Sequence, residues 1–244
     1  MNLPSTWLDW DRLAARSQAV LPAADSLPWL RELAWSLVLA AGVLMVATAR
    51  HRRLGLADER GWGAVWVALG VVAWTWAPAA WGLAYWLGLA FQTPSGVSTL
   101  LAATYLAREG HARWRGHSNF TLARAARLSP PKVWFKACVA AGVLLGWTLL
   151  LDTFALFPVS IYAWGFQPDA LAFVLGLALL PWVLGGAAAR RTPGLVQIWV
   201  ALALFGLWRW PSGNVWDALL DPWLWIALNG YFLLGLMRRW RLPD

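Results

Sequence analysis

Residues 89–100 read LAFQTPSGVSTL. The flanks are strongly apolar, WGLAYWLG before and LLAATYLA after. The polar break QTPSGVS is therefore a loop in water, a kink, or a functional gap in a membrane helix. Which of these it is depends on how the surrounding chain is threaded.

The 244 residues are 60% hydrophobic and 13% charged, too apolar for an ordinary soluble domain. Apolar runs fall at about 29–49, 62–107, 133–157, 169–187, 195–210 and 222–237. Most have the length that crosses a bilayer as a helix, and one has twice that length. Most of the 22 Trp cluster toward the ends of the runs. That is the membrane interface, where an indole ring is half buried and its N–H stays wet. No alternating strands of the transmembrane β-barrel kind occur. The expected fold is an all-α, polytopic, tryptophan-rich membrane protein. It divides into an amphipathic N-terminal segment, 1–28, and a single helical bundle, 29–244, with a basic loop at about 108–132.

Basic residues set the expected orientation. Sixteen of the 20 Lys and Arg lie in four clusters: residues 50–60, 108–136, 190–191 and 238–241. The positive-inside rule puts all four on the cytoplasmic side. Arg60 and Arg108 then share a side, so 62–107 crosses an even number of times. Two spans fit, with an outer turn near 78–81. The count becomes seven, with the N-terminus outside and the C-terminus inside. The pI near 10.7 reflects this orientation, and nucleic acid is not an expected partner. The one cysteine, Cys138, excludes an intrachain disulfide. No basic n-region precedes a long apolar core in the first 30 residues, so no cleavable signal peptide is expected. The Ala, Leu, Gly, Trp and Arg bias suits a GC-rich bacterium and its cytoplasmic membrane.

On this threading Ser95 lies 11 residues outward of Leu106, roughly 16 Å at the helical rise and near mid-bilayer. Pro94 removes a backbone N–H and Gly96 adds freedom. The expectation is a third span kinked or unwound between Gln92 and Ser98, with its polar side inward. The hydroxyls of Thr93, Ser95, Ser98 and Thr99 are candidates to repair the backbone, and Asn229 of the seventh span is a candidate partner. Gln92, Thr93, Ser95, Ser98 and Asn229 thus form a candidate intramembrane polar site. It is either a self-satisfied kink or a discontinuous helix that binds an ion or small polar solute.

Asp152 and Arg209 each fall near the outer ends of outward-running spans and are a candidate ion pair. Asp169, Asp217 and Asp221 are expected outside, solvated or capping helices. The Gly142-xxx-Gly146 spacing is a close-packing pattern. Two amphipathic segments, 5–20 and 119–128, suit the membrane surface. Arg124 and Arg127 of the second join Arg113 and Arg115 in a candidate patch for anionic lipid or a cytoplasmic partner.

None of His51, His111 and His117 falls in a span, so axial haem ligands are missing. No HExxH, CxxC, Walker or Rossmann pattern occurs. No cofactor or metal is expected. The leading expectation is a non-catalytic membrane subunit or scaffold of a larger inner-membrane assembly, with protein partners in the membrane. The alternative is a small transporter or channel that uses the broken span. A membrane enzyme on a lipid-linked substrate comes third, because Asp152 and Arg209 lie across the membrane from the histidines.

Overall fold

The computed structural model describes residues 27–54, 62–114, 132–190 and 192–240. Helices dominate them, and no strand occurs among them. In chain order the helices are α1 (Leu27–Leu54), α2 (Trp62–Thr75), α3 (Leu83–Phe91) and α4 (Gly96–Trp114). After these come α5 (Lys132–Thr153), α6 (Ile161–Trp164), α7 (Pro168–Arg190), α8 (Pro193–Trp208), α9 (Val215–Leu219) and α10 (Pro222–Trp240). A 3₁₀ turn, Ala79–Trp81, separates α2 from α3 at the expected turn. Trp74 and Trp86 donate their indole N–H groups to the Trp81 and Ala80 carbonyls there.

Among the described residues three stretches are long and apolar enough to cross a membrane: Leu27–Arg50, Val133–Thr153 and Pro168–Gly185. Trp62–Thr75, Gly194–Trp208 and Pro222–Met237 are shorter apolar helices. Outer faces are apolar as well. Trp66, Val67 and Leu69 of α2, and Val183 and Leu184 of α7, are exposed. Contiguous exposed apolar surface on this scale marks contact with lipid or partner protein.

Two apolar clusters hold the chain together. One joins Ala170 and Val174 of α7, Leu202 and Phe205 of α8, and Val215, Trp216 and Ala218 of α9. The other packs Ala40 and Leu44 of α1 against Ala68 of α2, with Tyr105 and Leu106 of α4 alongside. The close-packing glycines act as expected. A Cβ at Gly142 would run into Leu228, and one at Gly146 into the Trp225 ring, so α5 and α10 approach closely. Trp225 also stacks edge-on with Trp147 at 5.2 Å.

Candidate functional site

The polar break is real and short. Helix α3 stops at Phe91, residues 92–95 are unwound, and α4 starts at Gly96. Helix therefore resumes inside the stretch expected to be unwound, so 96–98 are regular. Gln92 sits at φ 61°, ψ −148°, a region strained for any residue with a Cβ. Two bonds hold it there. Its N–H reaches the Gly88 carbonyl at 3.1 Å, and its carbonyl accepts from the indole of buried Trp35 at 3.0 Å.

Ser95 is the N-cap of α4. It is 0% exposed. Its hydroxyl oxygen accepts the Ser98 N–H at 3.1 Å, and the Ser98 hydroxyl is 3.0 Å away. Such a cap satisfies one of the orphan donors of a helix start. The Thr99 hydroxyl bonds back to the Ser95 carbonyl at 2.9 Å. Local hydroxyls thus perform the expected repair.

The Ser95 backbone N–H is met from far along the chain. It donates to Oδ2 of Asp221 at 2.8 Å. Oδ1 of the same carboxylate accepts the Leu224 N–H at 2.8 Å and caps α10. Asp221 is 7% exposed. The starts of α4 and α10 therefore converge on one buried carboxylate. Each helix start is equivalent to about half a positive charge, so the two together balance it. Gly96 makes the approach possible. A Cβ there would stand 3.1 Å from the Ala218 carbonyl and 3.3 Å from Trp210.

This geometry corrects two expectations. Asp221 caps a helix as expected, but it is buried and not solvated. Asn229 is not gathered with the break. It lies two turns further along α10, donates to the Trp225 carbonyl at 2.8 Å and accepts from Trp147 at 3.3 Å, tying α10 to α5. Gln92 is level with Trp35, one turn from Arg31 and Glu32 at the charged start of α1. Trp35 lies 15 residues, about 22 Å, from Arg50 at the other end. Both α3 and α4 lean on α1.

Beside the break the connection from α8 to α10 folds into a cap. Arg209 ends α8 at φ 55°, and a cis bond joins Trp210 to Pro211. Asn214 is fully buried. It caps α9 through the Trp216 N–H at 3.0 Å and donates to the Tyr162 carbonyl at 2.9 Å. The Asp217 carboxylate accepts from the Tyr162 hydroxyl at 2.8 Å and from the Ser212 hydroxyl. Burial pushes the Asp217 carboxyl above the usual carboxylate range, against the pull of these two donors. Burial, then the nearby Asp217 charge, raises the Tyr162 phenol as well.

Asp152 and Arg209 do not pair. Asp152 accepts from the Ser160 hydroxyl at 3.0 Å and the Tyr162 N–H at 2.8 Å. Arg209 lies 5.3 Å over the Phe205 ring. The two belong to one cap, linked through Tyr162, Asp217 and the 209–213 turn. The turn after α5 supplies Asp152 with a hydroxyl and a backbone N–H in place of a cation.

A cleft of about 100 Å³ separates break and cap, lined by Gln92, Thr93, Ser212, Asp217 and Asp221. Gln92 is exposed, against the expected inward polar side, whereas Ser95 and Thr99 are buried. No cluster of three His, Cys, Asp or Glu able to hold a metal ion occurs among the described residues. In the basic patch, Arg113 pairs with Glu109 one turn back at 2.9 Å. Arg115, Arg124 and Arg127, and the segments 5–20 and 119–128, lie outside the described residues. Sequence reasoning missed the joint role of Asp221, Trp35 and Asn214. The only local signals were the cap patterns Asp221-Pro222 and Asn214-x-x-Asp217.

Compared with protein-family models, with curated proteins and with solved structures, the chain matches none. What fold and site define, among the described residues, is an all-helical protein with three helices long and apolar enough to cross a membrane. Its polar centre is a carboxylate shared by two helix starts.

Proposed function

We propose that this chain is a non-catalytic, multi-pass subunit or scaffold of a larger assembly in a bacterial cytoplasmic membrane. The observation that carries the reading is the closure of the helix break from within the chain. Trp35 and Thr99 donate to the Gln92 and Ser95 carbonyls, the Ser95 hydroxyl accepts the Ser98 N–H, and Asp221 accepts the Ser95 N–H. A polar centre tied this closely to the chain's own groups reads as a structural joint. The broad exposed apolar faces are the surfaces that lipid and neighbouring subunits would cover.

The proposed threading has seven spans, with α3 and α4 as one broken span, the N-terminus outside and the C-terminus cytoplasmic. The 16-of-20 partition of basic residues supports it. The contacts of α1 agree with it: Trp35 meets Gln92, while Leu44 lies beside Tyr105 and Leu106. Spans one and three then run in the same direction, as odd-numbered spans must.

Mild-detergent purification from native membranes tests the function. A stoichiometric protein partner is the expected result. A lone, well-behaved protein whose stability rises with one added solute would overturn it in favour of transport. That second reading has one observation behind it, the cleft with Asp217, Asp221, Gln92 and Thr93 on its walls.

A further inference from the structure

Helices α5 and α10 run antiparallel. Phe135 meets Tyr231 edge-on at 5.3 Å, Gly142 faces Leu228, and Gly146 faces Trp225. This register brings the start of α5 level with the end of α10. Lys132 and Lys136 stand at that end from one helix, Arg238 and Arg239 from the other. Neither helix carries an acid except Asp152, at the opposite end of α5. Just inside the basic end a groove of about 350 Å³ opens between the two helices. Its walls are Val139, Ala140, Tyr231, Phe232 and Gly235, with Lys136 at the rim. A Cβ at Gly235 would touch nothing within 4 Å, so the glycine leaves the groove open. Lys136 is exposed and has no carboxylate within 4 Å among the described residues.

We propose that this groove binds one anionic glycerophospholipid of the surrounding bilayer, with its phosphate at Lys136 and the upper part of an acyl chain along Val139, Ala140 and Tyr231. The inference rests on the membrane reading above. The order of chemistry along the groove argues for this occupant. A cationic rim followed directly by apolar walls repeats the order of headgroup and chain in a lipid. An aqueous anion would find no use for the walls, and an apolar peptide none for the rim. An ammonium–phosphate contact is a charge-assisted hydrogen bond, and basic pockets between spans on the cytoplasmic side suit anionic headgroups. An acyl chain is as apolar in the bilayer as in the groove. Selectivity must therefore come from the headgroup, and retention from the shape of the groove.

The test uses the full chain reconstituted into vesicles of equal parts phosphatidylglycerol and phosphatidylcholine. The protein is re-extracted in mild detergent, and the lipid retained is measured by mass spectrometry. Phosphatidylglycerol should be retained several-fold over phosphatidylcholine. Lys136→Gln should abolish that preference, and Lys136→Arg should keep it. Gly235→Leu should lower retention of both lipids, with helicity by circular dichroism unchanged. Equal retention of the two lipids by the wild-type chain overturns the site, as does a preference that survives Lys136→Gln. A chain that never enters the vesicles overturns the membrane reading and the site with it. Insertion with equal retention overturns the site alone.

Discussion

Asp221 accepts the backbone N–H of Ser95 at 2.8 Å across 126 residues of chain. The bond joins the start of α4 to the start of α10. Because the same carboxylate caps α10 through Leu224, neither helix start is complete without it.

Removing that carboxylate should be among the most damaging single changes in the chain. Asp221→Ala leaves two buried donors unmet, a lost cap plus an orphaned N–H. The expected cost is about 2–4 kcal/mol. Asp221→Asn keeps one acceptor and should cost less. Chemical unfolding in detergent, followed by circular dichroism, measures both. Equal stabilities of wild type and Asp221→Ala would remove the shared-cap account.

Gln92 offers a change in the other direction. Its φ of 61° is open to glycine without strain, and its side chain accepts or donates no bond among the described residues. Gln92→Gly should raise stability by about 1 kcal/mol, after the added freedom of the unfolded chain is subtracted. Gln92→Leu should be nearly neutral in stability. If Gln92 instead serves a solute, both changes abolish solute binding by a chain that still folds.

The α5–α10 contact predicts a position effect among glycines. Gly146→Ala drives a Cβ into the Trp225 ring, an overpacking that should cost about 1–3 kcal/mol. Gly230→Ala meets nothing within 4 Å on the same pair of helices. It should be neutral or stabilising by up to about 1 kcal/mol. Similar melting shifts for the two variants would contradict the antiparallel register.

Asp217 predicts a pH dependence with a definite sign. Its folded carboxyl is raised above the unfolded value, chiefly by burial. Between those two values the folded chain holds a proton that the unfolded chain has lost, so stability falls as pH rises through the window. The contribution is complete below the ordinary carboxylate value and gone above the folded one. Asp217→Asn still accepts from Tyr162 and Ser212 through its amide oxygen, and it should flatten this fall. The check is the unfolding midpoint of both proteins across the acid range. A variant as pH-dependent as the wild type would point to another group.

Orientation is open to cysteine labelling once Cys138 is replaced by Ala. A cysteine at the exposed Val159, in the turn after α5, should react with an impermeant reagent from outside the cell. One at position 117 should react only after the membrane is opened. Labelling of both from one side would end the proposed threading.

Much of the fold was legible because its causes are short-range. Run length announced the apolar helices, Pro94 announced the break, and Gly142 with Gly146 announced a close contact. The turn at Ala79–Trp81 followed from a run too long for one span and too short for three. Ser95 and Thr99 could be read as local repair because hydroxyls and the carbonyls they reach are neighbours in sequence.

What the tertiary structure alone decided was which distant groups meet. The Asp221 carboxylate finds a backbone N–H, and the Trp35 indole finds a backbone carbonyl 57 residues away. Backbone groups are the same at every position, so no residue type advertises which one a side chain will reach. Charge was misleading for the same reason. Asp152 and Arg209 looked like partners by sign and span, but Asp152 took the nearer donors of Ser160 and Tyr162. Composition and periodicity determined that the chain is helical and apolar. Packing decided that its polar residues close the helix break from inside.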